Sequence, residues 1–267
     1  PATLRPEQDV DWQDFLRDAP SVPPVVVSAT APLYILYTSG TTGKPKGVVR
    51  DTGGYLVALA WSMRHIYDTA AGETFWAASD IGWVVGHSYI VYGPLVQGCT
   101  TLLYEGKPVG TPDAGAYWRI IESHRVATLF TAPTAIRAIK REDPDGHHMT
   151  SVKLHSLRAL FLAGERADPD TVHWASKALG VPVIDHWWQT ETGWPMVANG
   201  LGFKTLPIKA GSPTLPVPGF DIVVLNNEGR VLGAHKQGSL AVRLPLPPGC
   251  LPTLWNNDDG FCSAYLR

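Results

Sequence analysis

The sequence predicts an α/β fold: a mostly parallel sheet flanked by helices, followed by the start of a small β subdomain. Three observations carry this expectation. Short, continuous apolar runs such as "TFWAAS", "VATLFTAP" and "LRALFLAG" read as strands buried on both faces. Amphipathic stretches of helical length separate them, which is the alternation of a doubly covered parallel sheet. Near Gly200 the character changes: proline and glycine become frequent and helical periodicity fades.

The elements follow in order. Asp11 is a candidate N-cap for a short helix to Ala19, with Trp12, Phe15 and Leu16 on one face. "PSVPPVVVSATAP" is a proline-rich connection, so residues 1–32 form an incoming helix and linker. Residues 33–200 form the core. There, "LYILYT" reads as a buried strand and "GGYLVALAWSMRHIYD" as a helix, followed by the strand "TFWAAS". "GHSYIVYGPLVQG" reads as mostly helical, "TTLLYEG" as a strand and "AGAYWRIIESHR" as a helix. The strand "VATLFTAP", the helix "TAIRAIKRE" and the strand "LRALFLAG" come next. A helix is capped by Asp168, with Pro169 at its first position and Gly180 past its end, and "VPVID" is the following strand. Residues 201–267 form the partial β subdomain. It has two short strands around Asn226–Gly229, a third in "GSLAVRLPLPPG", and no evident closing element in "WNNDDGFCSAYLR".

Composition narrows the functional classes. The chain has 267 residues, 45% hydrophobic and 17% charged, with a formal charge of −2. No basic excess points to nucleic acid, and no apolar run approaches membrane-spanning length. Cys99, Cys250 and Cys262 lack metal-site spacing, and so sparse and odd a set fits a reducing compartment. The opening "PATLRPEQDV" is neither a signal peptide nor a basic presequence.

Four constellations carry chemistry. "YTSGTTGKPKG" follows a strand and supplies backbone N–H groups, hydroxyls and two lysines, the materials of an anion-wrapping loop. It lacks the Walker A spacing, since Gly43-Lys44 is followed by Pro45. The residues alone also allow a solvated hairpin with incidental lysines. "DHWWQTETG" places an acid, hydroxyls and a carboxylate beside two indoles at a strand end, where parallel sheets bind ligands. A tryptophan-rich core edge is the alternative. "LFLAGERADP" is a strand and turn, and Glu165 alone reads as a solvated turn carboxylate. In "SDIGWVVGHSYIVYGPL", His87 beside a helix start reads as structural rather than catalytic.

Taken whole, these strings resemble the signatures of the AMP-forming acyl-CoA synthetases of the adenylate-forming superfamily, in the same order and over nearly the entire chain. The resemblance is closest to the propionyl- and acetyl-CoA synthetases. It implies the fold of the adenylate-forming N-terminal domain. It also implies a ligase that makes an acyl-AMP from a short-chain carboxylate and ATP, then transfers the acyl group to coenzyme A with release of AMP. By resemblance, Thr38, Ser39, Gly40, Thr41, Thr42, Gly43 and Lys44 grip the ATP phosphates, with Lys46 part of the same signature. Asp185, His186 and Trp187 border the adenine, with Gly164, Glu165, Arg166, Trp188 and Gln189 around the nucleotide. Arg166 stands where the family more often has proline. Thr190 touches the α-phosphate and Glu191 helps to hold Mg²⁺. Thr190, Glu191 and Lys44 are thus the candidate catalytic set. Trp83, Val84, Val85, Ala163 and Trp188 line the acyl pocket. Alanine at 163, where acetate enzymes typically carry valine, favours propionate over acetate. Val85 and Val109 are candidate coenzyme A contacts, and "YEGKP" and "TAPTAIRA" border the pantetheine tunnel.

The family's full enzyme has a preceding α/β part, a ribose-binding aspartate and a lysine-bearing lid. None is visible here, so the resemblance casts the chain as a central piece, inactive in isolation. Its expected partners are those missing parts, the small-molecule substrates and other copies of itself in a homo-oligomer. The expected compartment is the cytoplasm, with the mitochondrial matrix as the alternative. A non-catalytic nucleotide-binding module is the rival outside the enzyme class.

Overall fold

A computed structural model describes residues 3–39, 44–203 and 205–266. Helix α1 (Trp12–Leu16) is capped by the Asp11 carboxylate, which accepts from the N–H groups of Gln13 and Asp14. It buries no residue, and its Trp12 and Phe15 rings stack in the open with centroids 6.1 Å apart. Strands β1 (Pro32–Thr38) and β2 (Lys46–Asp51) pair antiparallel, ending at Thr38 opposite Lys46. They hold the two ends of the glycine-rich loop side by side. Helix α2 (Thr52–His65) starts directly after β2, with Asp51 as its N-cap, and buries Tyr55, Leu59 and Met63.

The central sheet begins with β3 (Thr74–Ala78). A helical run follows, made of α3 (Val84–Gly86), a π-helical segment (His87–Tyr92) and α4 (Gly93–Gln97). The later elements are β4 (Thr100–Thr101), α5 (Ala116–His124), β5 (Val126–Thr131) and α6 (Pro133–Glu142). Strand β6 (Ala159–Leu162), α7 (Pro169–Leu179) and β7 (Val183–Asp185) complete the core. The five strands are parallel, in the order β4-β3-β5-β6-β7.

Strand periodicity sends alternate residues into two apolar layers. Phe75, Phe130 and Phe161 join Tyr67 and Tyr89 on one face. Trp76, Leu129 and Leu160 join Trp118, Ile121 and Ile136 on the other. The second layer lies under α5, α6 and α7, and the first under α2 and the helical run after β3. This is the α/β sheet with helices on both faces that the apolar runs predict.

Three expectations need correction. The "LYILYT" strand is not part of the parallel sheet: it forms the hairpin with β2 and is only half buried. Apolar content alone cannot distinguish a hairpin strand from a central one. The "TTLLYEG" strand shrinks to two residues at the sheet edge, and Leu103 is exposed. After Gly200, β8 (Ile222–Leu225) pairs with β9 (Ser239–Val242), while Val231 makes only an isolated bridge to Leu225. Helix α8 (Asp258–Tyr265), capped by Asn257, follows them, so helices do not vanish from this region. Val217, Phe220 and Cys250 join the apolar layer that holds Tyr55 and Trp194.

Gly86 is needed where α3 meets the loop after β3, because a Cβ there would stand 2.4 Å from the Ile81 Cα. The contact is with backbone and cannot be relieved by a rotamer change. Gly86→Ala is expected to cost about 1–3 kcal/mol of stability, read from the urea midpoint. A midpoint equal to wild type would show that the loop yields freely.

Candidate active-site cleft

Parallel strands present their carboxyl ends along one edge, and the turns that leave them build the site. The turn after β3 supplies Ser79 and leads to Trp83, Val84 and Val85. The end of β5 supplies Phe130, Thr131, Ala132 and Thr134. The turn after β6 supplies Ala163, Gly164 and Glu165, and the chain after β7 supplies Trp188, Gln189, Thr190 and Glu191. Together they line a cleft of about 640 Å³. Gly164 adopts φ +101°, a conformation an L side chain rarely accepts, and this lets the chain reverse at the cleft rim.

The cleft has two chemical halves. Trp83, Val84, Val85, Ala163 and Trp188 supply apolar surface. Trp188 is held edge-on by Tyr89, with centroids 5.5 Å apart. Glu165, Gln189, Thr190 and Glu191 supply the polar half. Glu165 also pairs with Arg137 at 2.6 Å. A second cleft of about 630 Å³ shares Ser79, Thr131, Ala132 and Thr134 with the first and continues past Tyr104–Pro108. It therefore runs beside the "YEGKP" and "TAPTAIRA" segments.

Several candidate residues lie elsewhere. Val109 packs against the apolar layer around Trp118 and lines neither cleft. Arg166 turns away, its Nε donating to the Gly211 carbonyl at 3.4 Å. The His186 side chain does not reach the cleft, because its hydrogen bonds are satisfied in the core. Nδ1–H donates to the Leu162 carbonyl at 2.7 Å and Nε2 accepts from the Tyr67 hydroxyl at 2.9 Å. Burial keeps the imidazole neutral, with its pKa lowered to about 4. Asp185 accepts from the Ala167 N–H at 3.3 Å, and burial raises its carboxyl to about 6. Trp187 pairs through its backbone with Val197. Thr38 ends β1 beside exposed Ser39, and Lys44 is exposed just before β2. Gly40, Thr41, Thr42 and Gly43 lie outside the described residues.

The geometry adds a residue the sequence reading missed. Arg50 is fully buried on β2. One guanidinium nitrogen, Nη1, donates to the carbonyls of Glu191 at 2.9 Å and Gly249 at 2.8 Å, and Nη2 donates to the Thr190 carbonyl. Its Nε has no partner among the described residues. The only local signal was an arginine directly after the apolar pair Val48-Val49. From the other side, the Tyr34 hydroxyl donates to Tyr55, Tyr55 to Ser88, and Ser88 to the Gly193 carbonyl at 2.6 Å. The Thr190–Gly193 turn is thus held by its main chain, while the Thr190 and Glu191 residues line the cleft. His87 lies edge-on against Tyr34, away from the cleft lining.

For a metal, the donor set is sparse. No group of three or more His, Cys, Asp or Glu side chains able to hold an ion occurs among the described residues. A single carboxylate, Glu191, beside the Thr190 hydroxyl fits Mg²⁺, which keeps waters and takes substrate phosphates to complete its shell.

Residues 2–247 match the AMP-binding enzyme family, so the chain belongs to that family. It is 58% identical over 266 residues to an uncharacterised protein of Pseudomonas aeruginosa, covering 100% of this chain and 42% of that protein. It is 53% identical over 266 residues to acyl-CoA synthetase short-chain family member 3, mitochondrial, of Homo sapiens, covering 99% of this chain and 39% of that one. Against the propionate--CoA ligase of Salmonella typhimurium it is 49% identical over 246 residues, or 92% of this chain and 39% of the ligase. The chain spans about two fifths of the length of these curated relatives.

Two outcomes follow from this geometry. Arg50→Lys keeps the charge but cannot reach three carbonyls, so buried acceptors lose their donors. Stability should fall by about 1–3 kcal/mol, measured from denaturant midpoints, and an unchanged midpoint would remove Arg50 from its clamping role. The second concerns pH. His186 stays neutral in the fold while the unfolded chain takes up a proton, so its stabilisation is complete above pH 6.5 and is lost as pH falls toward about 4. Asp185 keeps in the fold a proton that the unfolded chain has already released. Its stabilisation is therefore lost as pH rises through about 6. The neighbours oppose each other between those limits. Asp185→Asn should steepen the loss of stability on acidification, and His186→Gln should reverse its slope. Parallel pH profiles for wild type and both variants would contradict this assignment.

Proposed function

We propose that this chain forms the nucleotide- and acyl-binding core of an ATP-dependent ligase for short-chain carboxylates, with propionate preferred to acetate. The ligase makes acyl-AMP and pyrophosphate, then transfers the acyl group to coenzyme A and releases AMP. Family membership and the name of the Salmonella relative support this reading. The observation that carries the substrate preference is Ala163. Its small side chain lines the cleft with Trp188 and the Trp83–Val85 wall, beside Thr190 and Glu191.

The chemistry asks for positioning and charge neutralisation more than proton transfer. A carboxylate oxygen attacks the α-phosphorus of ATP and the bond to pyrophosphate breaks. Thr190 would donate its hydroxyl to an α-phosphate oxygen. Lys44, with Thr38, Ser39 and residues 40–43, would grip the β- and γ-phosphates. Glu191 would hold Mg²⁺, which would supply charge neutralisation to the phosphates. The apolar half of the cleft excludes water from the activated acyl group. In the second half-reaction a coenzyme A thiolate attacks the acyl carbonyl and AMP leaves. The second cleft, joined to the first at Thr131 and Ala132, supports an approach from that side. Half-buried His87 and buried His186 need no part in either step.

No helix among the described residues is long and apolar enough to cross a membrane. A cytoplasmic site of action is part of this proposal, with the matrix as the alternative because some relatives are named mitochondrial.

Ala163→Val in the full-length protein tests the pocket. One methylene in an apolar pocket is worth about 10–200-fold in specificity. The variant is expected to lose kcat/KM for propionate by a factor in that range and to spare acetate. Equal losses for both acids would sink the pocket assignment, and a wild-type preference for acetate would sink the substrate assignment.

A further inference from the structure

We propose that Tyr265 is a positioning residue for Glu191, holding its carboxylate ready for the metal and joining it to the lysine end of the phosphate loop. This rests on the ligase reading above. The phenol donates to Glu191 Oε1 at 2.8 Å across 74 positions of sequence. Among the described residues this is the one side-chain hydrogen bond that the Glu191 carboxylate accepts. The face of the same ring lies 5.1 Å from the Lys46 ammonium, within range of a cation–π attraction. One side chain therefore touches both the candidate metal carboxylate and a lysine of the loop signature.

The chain between Gly249 and Tyr265 is built to carry that contact. The Leu251 N–H donates to the Glu191 carbonyl at 2.9 Å, and Arg50 ties the same carbonyl to that of Gly249. The segment then runs along β2. The Val49 N–H donates to the Thr253 carbonyl at 3.3 Å, and the Trp255 N–H to the Gly47 carbonyl at 2.8 Å. Phe261 and Tyr265 seat α8 on Val48, Leu251 and Leu254. Glu191 is thus gripped at its main chain and its side chain by one stretch of chain, which is also pinned to the strand leaving the phosphate loop. All of it lies beyond the residues 2–247 matched to the family.

The physical consequence concerns order. A glutamate has several side-chain torsions to fix before it meets a cation, and a hydrogen-bond donor on one oxygen fixes them in advance. The ring keeps its apolar seat and its place under Lys46 when the hydroxyl is removed, so Tyr265→Phe isolates the hydrogen bond.

The test uses the full-length protein as wild type, Tyr265→Phe, Glu191→Gln and the double variant. The Mg²⁺ concentration at half-saturation is measured twice. One readout is ATP–pyrophosphate exchange, and the other is calorimetric titration of Mg²⁺ with a non-hydrolysable ATP analogue bound. Tyr265→Phe is expected to raise half-saturation about tenfold in both, by more than it lowers the rate at saturating Mg²⁺. The double variant should match Glu191→Gln, because the phenol acts through that carboxylate. A Tyr265→Phe value equal to or below wild type, with Glu191→Gln impaired, would overturn the role of Tyr265 and leave that of Glu191 standing. Additive losses in the double variant would do the same. Glu191→Gln with unchanged half-saturation would overturn both.

Discussion

A buried guanidinium organises this molecule. Arg50 sits near the end of a short, mostly buried strand with no solvent, and the acceptors of its two terminal nitrogens are main-chain carbonyls. Taking a charge out of water is costly unless fixed dipoles replace the lost hydration. Here the dipoles come from Thr190, Glu191 and Gly249, so the charge is tolerable only if those three positions converge. That requirement brings together β2, the turn after β7 and the segment leading to α8. The face of Tyr55 closes the same site, 5.4 Å from the guanidinium carbon. Gly193 adopts φ +76°, and a Cβ there would lie 2.9 Å from that carbon. A side chain on residue 193 and the guanidinium would compete for one volume.

The same turn is braced from below by hydroxyls. Tyr34, Tyr55 and Ser88 pass donors along a line that ends on the Gly193 carbonyl. Ser88 belongs to the π-helical segment, and such segments often mark functional sites because they re-aim neighbouring side chains. The segment directly follows Val84–Gly86, so the bracing of the polar turn and the placing of the apolar wall share a few residues. A change in the packing of Tyr55 would reach both halves of the cleft.

Under the proposed ligase reading, the division of the cleft suits a reaction that joins an apolar acid to a polyanion. Trp83, Val84, Val85, Ala163 and Trp188 carry no formal charge, so that half would keep water from a reactive mixed anhydride. The polar half offers the Thr190 hydroxyl, the Gln189 amide and the carboxylates of Glu165 and Glu191, of which Glu165 is paired with Arg137. Both side chains that the neighbouring strand end could have offered as acid or base are withheld, His186 in the core and Asp185 against a backbone N–H.

The sequence by itself determined β3, β5, β6 and β7 and the helices between them. These depend on periodicity, caps and turn chemistry within short windows of chain. It also made Thr190, Glu191, Ala163 and the Trp83–Val85 wall visible, since each follows a recognisable strand in its own string. Tertiary structure alone decided that β1 leaves the parallel sheet for a hairpin and that β4 ends after two residues. It alone turned His186 inward, where Tyr67 and Leu162 compete for the ring more effectively than solvent. Arg50 and Tyr265 stayed illegible for the same reason. Their partners lie 140 and 74 positions away, and no local pattern records a contact that only the closed fold brings within hydrogen-bond distance.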